Sequence, residues 1–178
     1  MAHKALQIMR LGRIPYGAGL RIQETLFSLR TQKSVPDTLL ALEHPPVYTV
    51  ILYPILNLHE AKIGARAYVE GLEEVMVQTA GVWGVKARGK VPAETGVWVE
   101  DRKIGAVGVR ISRGVTSHGL ALNATVDLGW FEHIVPCGIA DKEVTSLERE
   151  TGGAEVRFDD VMRESMRAFC RVFGYQHP

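Results

Sequence analysis

The stretch Gly96-Val97-Trp98-Val99-Glu100-Asp101-Arg102-Lys103-Ile104-Gly105-Ala106-Val107-Gly108-Val109-Arg110-Ile111 decides the class of fold. Residues 96–100 are rich in β-branched and aromatic side chains, which suit a pleated, half-buried surface. Asp101-Arg102 reads as a tight turn, and residues 103–111 as the returning strand of a hairpin. Downstream, residues 119–126 read as a further strand. Upstream, residues 38–42 are short, apolar and bounded by Pro36 and Pro45, so they read as a buried strand, with residues 47–52 as another. Residues 6–11 read as the first strand. Helices flank this group. Pro15 opens one with Tyr16, Leu20 and Phe27 among its apolar positions. Residues 65–80 repeat Tyr68, Val69, Leu72, Val75 and Met76 at helical spacing and run into Gly81. Residues 158–173 carry Val161, Met162, Ser165, Met166, Phe169 and Val172 on one stripe, with Asp159 to cap the helix and Gly174 to end it. Strands in the middle and helices at both ends predict an α+β (mixed α/β) fold.

The chain has 178 residues, which is one domain with enough interior to fold without disulfides or metal. Apolar residues make up 46% and charged residues 23%, an ordinary globular balance that excludes disorder. With 21 basic and 20 acidic residues, the formal net charge is +1, which removes the electrostatic case for nucleic acid. The apolar stretch 47–56 is interrupted by Pro54 and falls far short of the roughly 20 residues that span a bilayer. No acidic residue precedes Glu24, whereas Lys4, Arg10, Arg13 and Arg21 are basic. That charge pattern matches a mitochondrial presequence, but serine is absent until Ser28, and a basic first strand is the better reading. The two cysteines, Cys137 and Cys170, build no disulfide framework and read as reduced intracellular thiols.

Polar chemistry is densest over residues 116–146, which hold His118, Asn123, His133, Cys137, Thr145 and Ser146. Cys137 stands between Pro136 and Gly138, a setting that can present a thiol on a rigid turn with backbone amides aimed at an oxyanion. A buried, inert cysteine is the competing reading, and it is the one that fits Cys170 on the last helix stripe. Lys103, His118 and His133 are the groups that could take the thiol's proton. Lys103 opens a strand of small residues along which a narrow substrate chain could run, and an amine partly withdrawn from water there favours proton acceptance. A solvated turn lysine beside Asp101 and Arg102 is the alternative. His118 reads as structural. His133 and Cys137 lack the continuous helix that a metal pair at this spacing needs, so no metal site is expected. No phosphate cradle is present, and an ATP-driven ligase finds no support.

Longer motifs then line up. Glu43-His44-Pro45-Pro46-Val47-Tyr48-Thr49 resembles the first signature of the lipoyl(octanoyl) transferase family. Thr95-Gly96-Val97-Trp98-Val99 with Lys103-Ile104-Gly105-Ala106-Val107-Gly108-Val109-Arg110 resembles its middle signature. Ser117-His118-Gly119-Leu120-Ala121-Leu122-Asn123, Pro136-Cys137-Gly138-Ile139 and Val144-Thr145-Ser146-Leu147 resemble the last. The resemblance covers nearly the whole chain, and several long motifs in order are highly specific. It implies a catalytic domain similar to that of biotin and lipoate protein ligases. It implies transfer of octanoyl from octanoyl-acyl carrier protein to a lysine of the lipoyl-accepting domains of 2-oxoacid dehydrogenases and of the glycine cleavage H protein, with no cofactor. By the same resemblance Cys137 carries the acyl thioester, and Lys103 holds the thiol as thiolate and serves as acid and base. Ala106, Val107 and Gly108 match one acyl-site segment of the family, and Gly119, Leu120 and Ala121 another, with His118 a candidate for a supporting role. The run 131–138 looks most like the animal mitochondrial branch, which implies a mitochondrial location, or a cytoplasmic one in a bacterium.

One departure stands out. The family's first signature is followed by a long segment ending in an Arg-Gly-Gly…His-Gly-Pro-Gly-Gln motif, which then leads into a strand like Tyr53-Pro54-Ile55-Leu56-Asn57-Leu58. Here Val50 runs straight into Ile51. The expectation is a single domain, 1–178, with an internal deletion near 50–51 that removes one wall of the acyl site. Two other outcomes therefore stay open. One is a catalytically impaired splice or gene-model variant that at most binds carrier protein or lipoyl domains. The other is a cysteine hydrolase with His118 or His133 as base.

Overall fold

A computed structural model describes residues 5–45, 49–91, 94–126, 143–153 and 155–176. Six strands form one sheet: β1 (Leu6–Arg13), β2 (Asp37–Glu43), β3 (Thr49–Ile55), β4 (Val97–Val99), β5 (Arg102–Ser112) and β6 (Val115–Asn123). Their order is β1-β2-β3-β6-β5-β4. Among these six strands only β1 and β2 are parallel, joined by the crossover helix α1 (Tyr16–Thr31), and the other pairs are antiparallel. Among the described residues the further helices are α2 (Leu58–Ala61), α3 (Ala65–Val82), α4 (Leu147–Glu150) and α5 (Phe158–Phe173). This is the expected mixed α+β class; residues 6–11 lie on the first strand as expected, with Arg10 and Arg13 on it and Arg21 on α1.

Alternation along the strands sorts the interior into two layers. Leu39, Ala41, Val50, Leu52, Leu120 and Leu122 face α3 and α5 in the larger core. Leu40, Leu42, Ile51 and Tyr53 face α1 in a smaller one with Ile22 and Leu26. The α5 stripe is as its spacing demands: Val161, Met162, Ser165, Met166, Phe169 and Cys170 are all buried. Cys170 is therefore a core residue, and burial pushes its thiol pKa up. Among the described residues no helix is long and apolar enough to cross a membrane.

Three local expectations are corrected. The N-cap of α5 is Arg157, without a side-chain cap; Asp159 lies inside the first turn, where its charge favours the helix dipole instead. The hairpin turn is Glu100–Asp101, because Glu100 takes the left-handed conformation and Arg102 already pairs with Val99. The last strand starts at Val115, four residues before Gly119, and ends at Asn123. On α1 the fully buried side chains include polar Gln23 and Arg30, while Tyr16 is 55% exposed.

Pro54 explains the bend at the centre. It sits within β3 and has no N–H to give to β6. The regular β3–β6 ladder stops at Leu52 opposite Leu120. Thr116 then bridges the gap: its hydroxyl donates to the Pro54 carbonyl and accepts from Leu56 N–H. Between these points Gly119 crosses so close that a Cβ would lie 2.2 Å from the Leu52 carbonyl oxygen and 2.6 Å from Pro54 Cδ. Both obstacles are rigid, so Gly119→Ala is expected to cost about 1–3 kcal/mol. A lower urea midpoint checks this; an unchanged midpoint would reject the close crossing.

Candidate functional site

Lys103 is 8% exposed despite adjoining a turn, so the solvated reading is overturned. The cause is a register shift between β4 and β5, with Val97 opposite Gly105 but Trp98 opposite Lys103. The Lys103 ammonium lies 5.2 Å from the centre of the Trp98 ring, a cation–π contact. Gly96, at φ +129°, passes so near that a Cβ would meet Lys103 Cε at 2.7 Å. Buried Glu73 of α3 holds that passage by accepting from the Lys90 and Gly96 N–H groups at 2.7 and 2.8 Å.

Where β6 ends its pairing with β5, another segment takes its place. Lys103 N–H donates to the Glu143 carbonyl and its own carbonyl accepts from Thr145 N–H. Asn123 donates to the Thr145 carbonyl, and Ser146 caps α4. Asn123, Thr145 and Ser146 thus serve the backbone around Lys103. Cys137 and His133 lie outside the described residues.

Arg102 fastens the far side of this segment through a two-pronged contact with Glu150 at 3.0 and 3.1 Å. Hydrogen bonds from Arg102 hold Glu150 below the usual carboxylate range; burial opposes and the Thr145 hydroxyl assists. A lowered carboxylate stabilises the fold above its unfolded pKa, and that gain fades as pH falls through the folded value. Glu150→Gln is therefore expected to lower Tm at pH 7, with the gap to wild type closing below about pH 4. A gap independent of pH would contradict the linkage.

Beyond Lys103 the sheet carries a groove of small residues. Ala106 pairs with Ala121 and Gly108 with Gly119. These four line a cavity of about 400 Å³ on the α1 side, together with Ile51, Tyr53 and His118. Leu120 also lines this cavity, although its side chain belongs to the opposite core, against which Val107 packs. Five of the six expected acyl-site residues therefore line the cavity, and Val107 lies beneath it. Since β5 and β6 are hydrogen-bonded neighbours, the groove runs over the sheet face rather than between the strands.

His118 has φ +57°, a strained angle for a residue with a side chain, and its N–H turns to the Gln23 amide oxygen at 2.7 Å. Its ring stands edge-on to Tyr53, and Tyr53 in turn contacts His44. His44 Nδ1 lies 2.8 Å from the Ile14 carbonyl, so that nitrogen carries the hydrogen and Nε2 accepts from the Tyr53 hydroxyl at 3.3 Å. Burial pushes Tyr53 up to about 12, which keeps that hydroxyl protonated at neutral pH. Sequence reasoning assigned no role to Gln23, His44 or Tyr53. The only signal was that His44 stands inside a quoted motif and Tyr53 opens another.

Residues 49–170 match the family model described as the lipoyl protein ligase A/B catalytic domain. The chain belongs to that family. Within it, similarity is to octanoyltransferases. "Octanoyltransferase LIP2, mitochondrial" of Arabidopsis thaliana is 43% identical over 212 positions, covering 97% of this chain and 90% of the relative. The zebrafish (Danio rerio) "Octanoyl-[acyl-carrier-protein]:protein N-octanoyltransferase LIPT2, mitochondrial" is 36% identical, covering 96% and 91%. An "Octanoyltransferase" of Acidobacterium capsulatum is 37% identical, covering 96% and 91%. The first alignment is longer than the 178-residue chain, so that relative carries residues with no counterpart here. The family fold is matched by lipoate-protein ligase A bound with ATP, with TM-score 0.66, 10% identity, and coverage of 99% of this chain and 89% of that one. A biotin protein ligase from Aquifex aeolicus in complex with biotin and ATP gives TM-score 0.60 and 14% identity, covering 94% and 70%. This lipoyl protein ligase A/B family member is thus an acyltransferase of the octanoyltransferase branch.

Proposed function

We propose that the chain moves an octanoyl group from octanoyl-acyl carrier protein to a lysine of a lipoyl-accepting domain, with Cys137 as the acyl carrier and Lys103 as the proton acceptor. The observation that carries this reading is Lys103 itself, a buried amine at the head of a groove of small residues. The Glu143 carbonyl is bonded to Lys103 N–H. Glu143 stands six positions after Cys137, so chain length alone limits the thiol to roughly 20 Å from that bond.

In the first step the Lys103 amine takes the Cys137 proton and the thiolate attacks the donor thioester carbonyl. The carrier thiolate leaves and takes its proton from Lys103. In the second step the acceptor amine attacks the Cys137 thioester, an amide forms, and the Cys137 thiol is restored. The zebrafish relative's name gives both substrates in general form. The acceptors we assign are the lipoyl domains of 2-oxoacid dehydrogenases and the glycine cleavage H protein. Two of the relatives named above are mitochondrial, which supports a mitochondrial site of action.

The unmatched positions in the Arabidopsis relative favour a second reading. In it, a deletion between Val50 and Ile51 has removed one wall of the groove, and the chain binds donor or acceptor without efficient turnover. Incubation with octanoyl-acyl carrier protein, followed by intact mass and peptide mapping, separates the two. The first reading expects one octanoyl adduct on Cys137 that is discharged by an apo lipoyl domain. An adduct that never discharges supports the second reading, and no adduct rejects the first.

A further inference from the structure

Gln23 is 1% exposed and lies on α1. A backbone N–H can only donate, so the atom facing His118 N–H must be the amide oxygen. Its Nε2 is left buried without a hydrogen-bond partner, although buried donors are nearly always satisfied. Gln23 lines a second cavity of about 170 Å³ with Phe27, Glu24, Arg110 and Ser117. His118 is the wall shared by this cavity and the small-residue groove.

The order of these features along β5 gives the groove a direction. Lys103 stands at one end, Ala106 and Gly108 follow, and Arg110 lies beyond. At about 3.3 Å per residue, Gly108 is roughly 17 Å from Lys103 along the strand. On the acyl-transfer reading, on which this inference rests, the carbonyl reacts beside Lys103 and the distal carbons point toward His118 and Gln23. A chain that overruns Gly108 meets His118, the shared wall, and beyond it the Arg110 guanidinium, from which it would strip water, while the amide donor, already without a partner, would stay unmet.

We infer that Gln23 is a specificity-determining residue that closes the far end of the acyl groove against longer unsubstituted chains and admits longer ones that end in an oxygen acceptor. A site whose buried donor awaits an acceptor discriminates strongly against a ligand that lacks it. Glu24 and Arg110 both line this cavity and offset each other's charge, so a neutral hydroxyl is the better occupant.

The test titrates octanoate, decanoate and 10-hydroxydecanoate into the full chain by calorimetry. Wild type is expected to bind octanoate about tenfold more tightly than decanoate, with 10-hydroxydecanoate recovering most of the difference. Gln23→Leu should bring all three within about twofold. If that variant loses its cooperative thermal transition, Gln23→Glu at pH 8 replaces it: the carboxylate still holds His118 N–H but has no donors, so the gain from the hydroxyl should vanish. Unchanged preferences in a folded variant, or no binding of any of the three, would overturn the inference. Equilibrium binding does not need Cys137 chemistry. A missing adduct with this length preference intact would reject acyl transfer alone, and an adduct without the preference would reject only the role of Gln23.

Discussion

Cys137→Ser is expected to abolish the octanoyl adduct and to lower octanoyl transfer by at least about 10³-fold. The thiol and the hydroxyl differ little in size, so the loss would be chemical. A serine hydroxyl lies far above the range in which an amine can deprotonate it, whereas a thiol is within reach. Even an acylated serine would be an ordinary ester, a poorer donor to an incoming amine than a thioester. On the proposed mechanism Lys103→Met should impair the same step by a smaller factor, on the order of 10²-fold, because it would remove the proton acceptor and leave the nucleophile. Transfer above a tenth of wild type in Cys137→Ser would remove the covalent route. Unaltered thermal transitions in both variants would show that the fold is not the cause.

Asp37→Ala is expected to destabilise the protein by about 3–5 kcal/mol. Asp37 accepts from Arg30 Nε at 2.9 Å, from Asn57 N–H at 3.0 Å and from the Tyr175 hydroxyl at 2.7 Å. Its removal leaves the Arg30 charge, 7% exposed, to Glu60 alone and orphans two further buried donors. The contact also joins β2 and α1 to the residues after α5, because Tyr175 follows the left-handed cap Gly174 and folds back onto Asp37. Chemical denaturation measures the cost. A loss below 1 kcal/mol would mean that water replaces these partners, and the network would then not hold the C-terminal residues.

The elements that were legible in the sequence are those whose pattern is local. β2 stands between two prolines, and α5 repeats its stripe without interruption. β5 and the small residues of the groove were also readable, since alternation and side-chain size are local properties. The burial of Lys103 was not, because it follows from a register shift against β4 and from Trp98. The start of β6 was misread for a similar reason: residues 115–118 are held in the strand by their pairing with β5, from Ser112 to Val109. Gln23 and Arg30 carry no local sign of their burial. Their partners, His118 and Asp37, come from other strands of the sheet. Cys137 is singled out by its motif alone, since proline and glycine neighbours also suit an inert thiol.

The continuity of β3 across Val50 and Ile51 bears on how this chain relates to any longer form. Both residues are buried, Val50 lies opposite Leu122, and Ile51 lies opposite both Leu42 and Ala121. A segment inserted between them would have to leave and return through the middle of a central strand, parting its bonds to both neighbours. A longer form with residues inserted here would therefore not be this fold with an added loop, because β3 would be divided into two pieces that need their own partners. Proteolytic trimming of such a form would leave a nicked strand instead of this joined one, so a chain synthesised already joined and the longer one would be separate folding problems from the ribosome onward.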